Sequence, residues 1–454
     1  MGGGTGTEYE KMTPDAACII AAISGRGKTN CHHHRPERRE NGGERQNGSL
    51  CYVQKMRRIY LDHNATTPVR TEVLDAMLPY FSGEYGNASS IHTFGQRARG
   101  AVETAREQVA ELLNASPQEI VFTSGGTESD NHAIFGVVRA SSTEQRQVHV
   151  ITSAIEHEAV LNSCQELQKQ GVQVTYLRVS SDGLIDLEEL RRAVRPETVL
   201  ISVMHANNEI GTVQPLKQIG EIATEHKIYL HTDAVQSVGK IPVDVQGSQV
   251  HLLALSGHKI YGPKGVGALY IKSGTRVAQL LFGGHHQRGF RPGTENVAAI
   301  VGLGKAAELA RLSLGEDAAR IGALRNRLEQ QLVSRVPDCH ANGAGAARTP
   351  NTSNITFAGI EAEALVIALD LKGLACSTGA ACSSGAVQPS HVLTAIGLRE
   401  SEARASARFS LGRGTTSADI DAAIEVIPAA VSQLRELSPT YHSSSPAALR
   451  QTSK

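Results

Sequence analysis

"TVLISVMHANNEIGTVQPLKQIGEIATEHKIYLHTDAVQS", residues 198–237, holds two apolar runs with an amphipathic segment between them. The runs TVLISVMH (198–205) and KIYLHTDA (227–234) are short and largely apolar, which suits strands covered on both faces. Between them QPLKQIGEIATEHK sets apolar residues at helical spacing, with Pro215 suited to a first helical turn. Strand, helix and strand in that order predict a parallel pair, because a parallel connection needs a crossover and a helix supplies it. The unit recurs outward. EIVFT (119–123) leads through Gly-Gly-Thr into the helical ESDNHAIFGVVRA, and HVITSA (149–154) and HLLALSG (251–257) read as further buried strands. The expected fold class is α/β with a mostly parallel central sheet. After about residue 315 the character changes: a long helical run, EDAARIGALRNRLEQQLVSRV, leads into a smaller α+β region.

Length and composition bound the rest. A chain of 454 residues exceeds what one hydrophobic core normally serves, so two domains are expected. Lys plus Arg equals Asp plus Glu at 45 each, which removes any bulk electrostatic case for nucleic acid or an anionic membrane surface. No apolar run approaches the roughly 20 residues of a membrane span. Seven cysteines, an odd number thinly spread, argue against a secreted disulfide framework. With no secretory signal pattern at the start, a reducing cytoplasm is the expected compartment. Residues 1–57 read as a low-complexity, disordered extension, and 439–454 as a polar tail. Within the extension GRGKT (25–29) resembles the end of a phosphate-binding loop, but Ala22 stands where that motif needs glycine. Cys31 beside His32, His33 and His34 in such a segment is weak evidence for metal.

In open α/β sheets ligands gather at the carboxyl ends of the strands. The residues just beyond the predicted strands form a consistent inventory: Gly125, Gly126 and Thr127 at a helix N-terminus, then His157, then Asn207 and Asn208, then Asp233 and Gln236, and last Ser256, His258 and Lys259. Taken singly, each is more often a satisfied polar group, and Gly-Gly-Thr alone reads as a tight turn with a cap. Together they comprise an anion cradle at a helix start, an aromatic ring, an amide, a carboxylate and a lysine. That set suits pyridoxal 5′-phosphate, whose protein partners are a Schiff-base lysine, an acid for the pyridine nitrogen and a phosphate site.

YLDHNATTP, TSGGTESDN, EHEAV, HANNEIG, HTDAVQ, SGHKIYGPKGVG, RPGTEN, STGAACSSG and RFSLGR, in this order, resemble the cysteine desulfurases of the NifS/IscS group, class V aminotransferase-type enzymes. The likeness runs from residue 58 to about 437. It implies the fold-type I architecture of pyridoxal phosphate-dependent transferases, with a large cofactor-binding domain (73–317) and a small domain (58–72 and 318–438) carrying the catalytic cysteine loop. The resemblance makes Lys259 the Schiff-base lysine, Lys264 a structural lysine and Asp233 the partner of the pyridine nitrogen. Gln236 and Asn208 take the phenolic-oxygen side, and His157 stacks on the ring and assists proton transfer. Gly126, Thr127, Ser256 and His258 take the phosphate, and Thr294 reaches the phosphate of a neighbouring subunit, implying a homodimer. Substrate binding falls to Asn64, Asn208 and Arg408, the last as a planar clamp for a carboxylate. His285 and His286 depart from the glycine-rich pattern of many relatives and read as drift on a loop.

The implied reaction removes sulfur from L-cysteine, leaving L-alanine and an enzyme persulfide that is passed on to an acceptor such as an iron–sulfur scaffold or a tRNA-thiolation protein. The family's small-residue pattern aligns its nucleophile with Cys382, on a segment of Gly, Ser and Ala that permits movement, and leaves Cys376 as an inert packed thiol. No metal site is expected, beyond a transient iron–sulfur contact open to Cys382 during transfer. The rival readings are a related class V enzyme, such as a selenocysteine lyase or an aminotransferase, and a metal-binding scaffold using Cys376, Cys382 and the histidine-rich tail.

Overall fold

A computed structural model describes residues 58–142, 147–378 and 389–438. All of them belong to the unit Arg58–Lys454. The expectations placed on 1–57 and 439–454, and those on Cys382 and most of its small-residue segment, lie outside the described residues. In chain order the strands are β1 (Ile59–Tyr60), β2 (Ile120–Thr123), β3 (His149–Ser153), β4 (Gln173–Leu177), β5 (Thr198–Ser202) and β6 (Tyr229–Asp233). They continue with β7 (Leu252–Ser256), β8 (Gly267–Ile271), β9 (Cys339–Ala341), β10 (Thr352–Phe357), β11 (Leu374–Ala375) and β12 (Ser406–Ser410).

Seven strands form one sheet in the order β2-β8-β7-β6-β5-β3-β4. From β7 to β4 every pairing is parallel, and only β8 runs against its two neighbours. The cause is visible in the residues. Neighbouring side chains on a strand face opposite ways: Ile151, Ile201, Leu230 and Leu253 enter one core, while Val150, Leu200 and Leu252 enter the other. A strand buried on both faces needs apolar residues at every position, hence the unbroken runs in the sequence. Each such side chain contributes about 1.5–3 kcal/mol of burial.

Apart from EIVFT, which pairs through its last residue, each predicted strand proves shorter at its carboxyl end than its apolar run. The pairing of TVLISVMH stops at Ser202 and that of KIYLHTDA at Asp233, so the residues beyond project as loops over the sheet edge. The helix between them spans Leu216–Glu225, with Pro215 as its cap. EDAARIGALRNRLEQQLVSRV belongs to a much longer helix, Val297–Arg335, which runs unbroken across position 317/318. Its first half packs on helix Thr93–Leu113 so closely that a Cβ on Gly304 would lie 2.5 Å from the Ala105 Cα. Its second half buries Ile321, Leu328 and Leu332.

The later residues build a three-stranded antiparallel sheet, β12-β10-β9, and β1 pairs in parallel with β11. Asp62 also bridges to Ser410, so the segment after β1 lies against the end of β12. That segment, residues 62–67, lies against residues from both sheets.

Candidate active site

Lys259 ends a single 3-10 turn, Gly257–Lys259, directly after β7. The chain then returns as the antiparallel β8, whose first residue must be glycine: a Cβ on Gly267 would stand 2.5 Å from the Leu255 carbonyl oxygen and 2.7 Å from the Gly125 Cα. The close approach brings the Gly125–Gly126 turn against the lysine turn. The Lys259 amine donates to the backbone carbonyls of Asn64 (2.5 Å) and Ala65 (2.8 Å). Burial, helped by the nearby Arg408 guanidinium, lowers its pKa to about 8.

The other strand ends converge on it. Asp233 closes β6, is buried, and accepts the Val235 N–H at 2.8 Å. Burial pushes its carboxyl up, while His157 and Lys259 pull it back toward ionisation; a cation on its free side would pull further in that direction. His157 caps helix Glu158–Lys169, its Nδ1 accepting the Ala159 N–H at 3.1 Å, so the proton of a neutral ring sits on Nε2. Ser256 is the buried last residue of β7 and lies beside Gly125 and Gly126, where a Cβ on Gly126 would meet Val235 Cγ2 at 2.7 Å. Thr127 stands exposed in the first turn of helix Gly126–Ser141. His258 bonds Thr66 Oγ1 at 3.1 Å, and burial with three neighbouring lysines drops its pKa to about 4. It therefore meets an anion as a neutral ring.

The three-stranded sheet supplies Arg408, in the middle of β12 and 5% exposed. One Nη donates to the Asn208 carbonyl at 3.0 Å and the other to Asp62 at 2.8 Å, leaving Nε buried with no partner among the described residues. Its backbone pairs in both directions with Ser377, the neighbour of Cys376. The Cys376 thiol is buried and, chiefly by that burial, pushed up to about 12, as an inert packed thiol should be.

Two placements differ from the sequence reading. The resemblance gives Asn64 to the substrate, yet its amide is spent on protein: Oδ1 accepts from Lys240 (3.0 Å) and Asn351 (2.9 Å), and Nδ2 donates to Asn208 O (3.1 Å) and Thr352 Oγ1 (2.8 Å). Gln236 is likewise engaged, donating to the Asn64 carbonyl at 3.0 Å and accepting from Lys240. Thr294 is exposed between Gly289 and the helix from Val297. Lys264 is exposed as well. Asp62 and Lys240 join the site without having been singled out. Asp62 lies inside YLDHN and carries a signal there, whereas Lys240 has none.

The chain as a whole matches known proteins. The aminotransferase class-V model covers residues 59–423. The chain belongs to the class-V aminotransferase family. It is 49% identical over 383 residues to cysteine desulfurase IscS of Dictyoglomus turgidum, covering 84% of this chain and 97% of that one. With cysteine desulfurase IscS of Methanosarcina thermophila the identity is 50% over 381 residues, covering 84% and 94%. Among solved structures, a NifS-like protein superposes with TM-score 0.78 at 37% identity, over 83% of this chain and 100% of that chain. SspA in complex with cysteine superposes with TM-score 0.69 at 39% identity, over 78% and 98%. The fold is thus that of the fold-type I enzymes, and the cofactor of the family is pyridoxal 5′-phosphate. The residues present fit it: a lysine amine with a lowered pKa, a buried carboxyl beside it, a cradle that one Cβ would fill, and an orphaned guanidinium Nε nearby.

Proposed function

We propose that this chain is a cysteine desulfurase that carries sulfur on Cys382. The observation behind the reading is the meeting of Lys259, Asp233 and Arg408, a base, an acid and an anion clamp drawn from two sheets. When bound, the cofactor supplies an electron sink for the charge left as the Cα proton departs. Lys259 would hold it, and its amine, once free, takes that proton: with a pKa of about 8 it is already partly neutral at physiological pH. Asp233 would face the pyridine nitrogen, and Asn208 and Gln236 the phenolic side. Gly126, Thr127, Ser256 and neutral His258 would hold the phosphate, with His157 over the ring. Arg408 is paired with Asp62 and offers its Nε donor to the substrate carboxylate.

The Cys382 thiolate attacks the substrate sulfur. The S–S bond forms as the C–S bond breaks, the electron pair of that bond stays with the carbon fragment, and a proton completes L-alanine. L-cysteine and enzyme thiol therefore give L-alanine and enzyme persulfide with no outside oxidant. The persulfide passes to an acceptor such as an iron–sulfur scaffold or a tRNA-thiolation protein in a reducing cytoplasm. The reading divides the molecule into a cofactor domain (73–317) and a smaller domain (58–72 and 318–438). A homodimer is supported by Phe81, Tyr85, Ile91 and Phe282, apolar side chains 63–88% exposed. Thr294 would then serve the neighbouring subunit.

The test is direct. Purified protein should be yellow, Lys259→Ala colourless, and cysteine should yield alanine with a mass increase of one sulfur on the Cys382 peptide. Full cysteine turnover by Cys382→Ala would overturn the reading in favour of an aminotransferase.

A further inference from the structure

Lys240 and Lys259 line one pocket, alongside His63, Tyr261, Asn351 and Arg413. The Lys240 side chain is half-buried, and the amine donates to two amide oxygens, Asn64 Oδ1 at 3.0 Å and Gln236 Oε1. Each amide is oriented by a backbone carbonyl that can only accept. Gln236 Nε2 donates to Asn64 O at 3.0 Å, and Asn64 Nδ2 donates to Asn208 O at 3.1 Å. Both oxygens must therefore turn inward, where Lys240 meets them. Asn64 O also accepts from the Lys259 amine at 2.5 Å, so the Gln236 NH2 and the Lys259 amine converge on one atom.

We infer that Lys240 is a positioning residue for the reaction: it ties down the inward oxygens of Gln236 and Asn64 so that the Gln236 NH2 stays aimed beside Lys259. The oxygens differ in their dependence on it. Asn64 Oδ1 keeps a second donor in Asn351, whereas Lys240 is the donor that meets Gln236 Oε1. Loss of the amine strands a buried acceptor and frees the Gln236 side chain to swing toward another donor. Its NH2 then leaves the side where Lys259 acts. The charged groups pressing on Lys240 are the cations Lys259 and Arg408, and with burial they lower its pKa well below the ordinary lysine value. A neutral amine still has the two donors this role needs.

The inference rests on Lys259 being the cofactor lysine. The experiment is an absorbance titration of the chromophore formed at Lys259, with cofactor release followed by fluorescence, in the wild-type and Lys240→Met holoenzymes. The expected result is a titration midpoint raised by about half to one pH unit, because the Gln236 NH2 is no longer held beside Lys259. Cofactor release should be about tenfold faster. Lys240→Gln, which keeps a donor NH2, should recover part of both changes. Wild-type midpoint and release in Lys240→Met would overturn the inference while leaving Lys259 as cofactor lysine. A wild-type protein with no Lys259-dependent chromophore would overturn both. If Lys240→Met does not fold, Lys240→Met with Gln236→Leu removes donor and acceptor together and avoids the stranded oxygen. Its midpoint should equal that of Gln236→Leu alone, and an additive shift would overturn the role.

Discussion

The two sheets bring charge to the site in opposite ways. At the carboxyl ends of the seven-stranded sheet burial works against charge: Lys259 falls to about 8, His258 to about 4, and Asp233 rises. The three-stranded sheet instead delivers Arg408, buried and paired at 2.8 Å with Asp62. Burial tunes a lysine, an imidazole or a carboxyl toward proton exchange, whereas a guanidinium is a fixed charge that a close carboxylate orients. The first suits a base, the second a clamp for an anion that must not move.

The sharpest break of this contrast is Lys259→Ala. It should abolish cofactor retention and lower alanine production from cysteine by at least about 10³–10⁴-fold, read by absorbance and amino-acid analysis. Residual turnover within tenfold of wild type would mean that the tuned group is elsewhere.

Arg408→Lys tests the fixed charge. Lysine keeps the charge but loses the fork that reaches Asp62 and the Asn208 carbonyl together while presenting Nε. We expect kcat/KM for cysteine to fall about a hundredfold, or about 3 kcal/mol, mainly through KM. A fall confined to kcat would place Arg408 away from the substrate carboxylate. Asp62→Asn should give a smaller loss of the same kind, since the guanidinium remains but its counter-charge is gone.

The pH profile sharpens the other half. A lysine lowered to about 8 is roughly one-tenth neutral at pH 7 and nine-tenths neutral at pH 9. The base form grows as pH rises, so the proton-abstraction rate should increase about tenfold over that range and level off above it. Measured by exchange of the substrate Cα proton, a rise that continued to pH 10 would place the lysine at its ordinary value.

How much of this was legible depends on the same division. The central strands announce themselves because double-faced burial requires unbroken apolar runs; Asp233 closes one such run and Lys259 follows just after another. β4 escapes that reading because its residues Gln173–Tyr176 are only partly buried. β8 escapes it because it opens on a glycine demanded by a clash no pattern encodes. Lys240 is the clearest loss. In GKIPVD it looks like any surface lysine, and its partners at 64 and 236 meet it only through the fold. Asn64 shows the converse, since its motif marks the residue but not that its amide is already spent.

The smallest expected effect concerns a residue at the edge of the site. Cys376 lies next to Ser377, which pairs with Arg408, and Asp62 acts electrostatically on its thiol. Proximity alone would make it a rival nucleophile. Burial decides otherwise: a thiol pushed to about 12 holds a negligible thiolate fraction at pH 8. Cys376→Ala should therefore keep desulfurase turnover within about twofold, at a cost of about 1 kcal/mol in stability from the lost packing. Thermal unfolding and cysteine turnover on the same preparation separate the two effects. If turnover collapsed while unfolding stayed unchanged, sulfur would pass through Cys376, and burial would not be what silences a thiol beside Arg408.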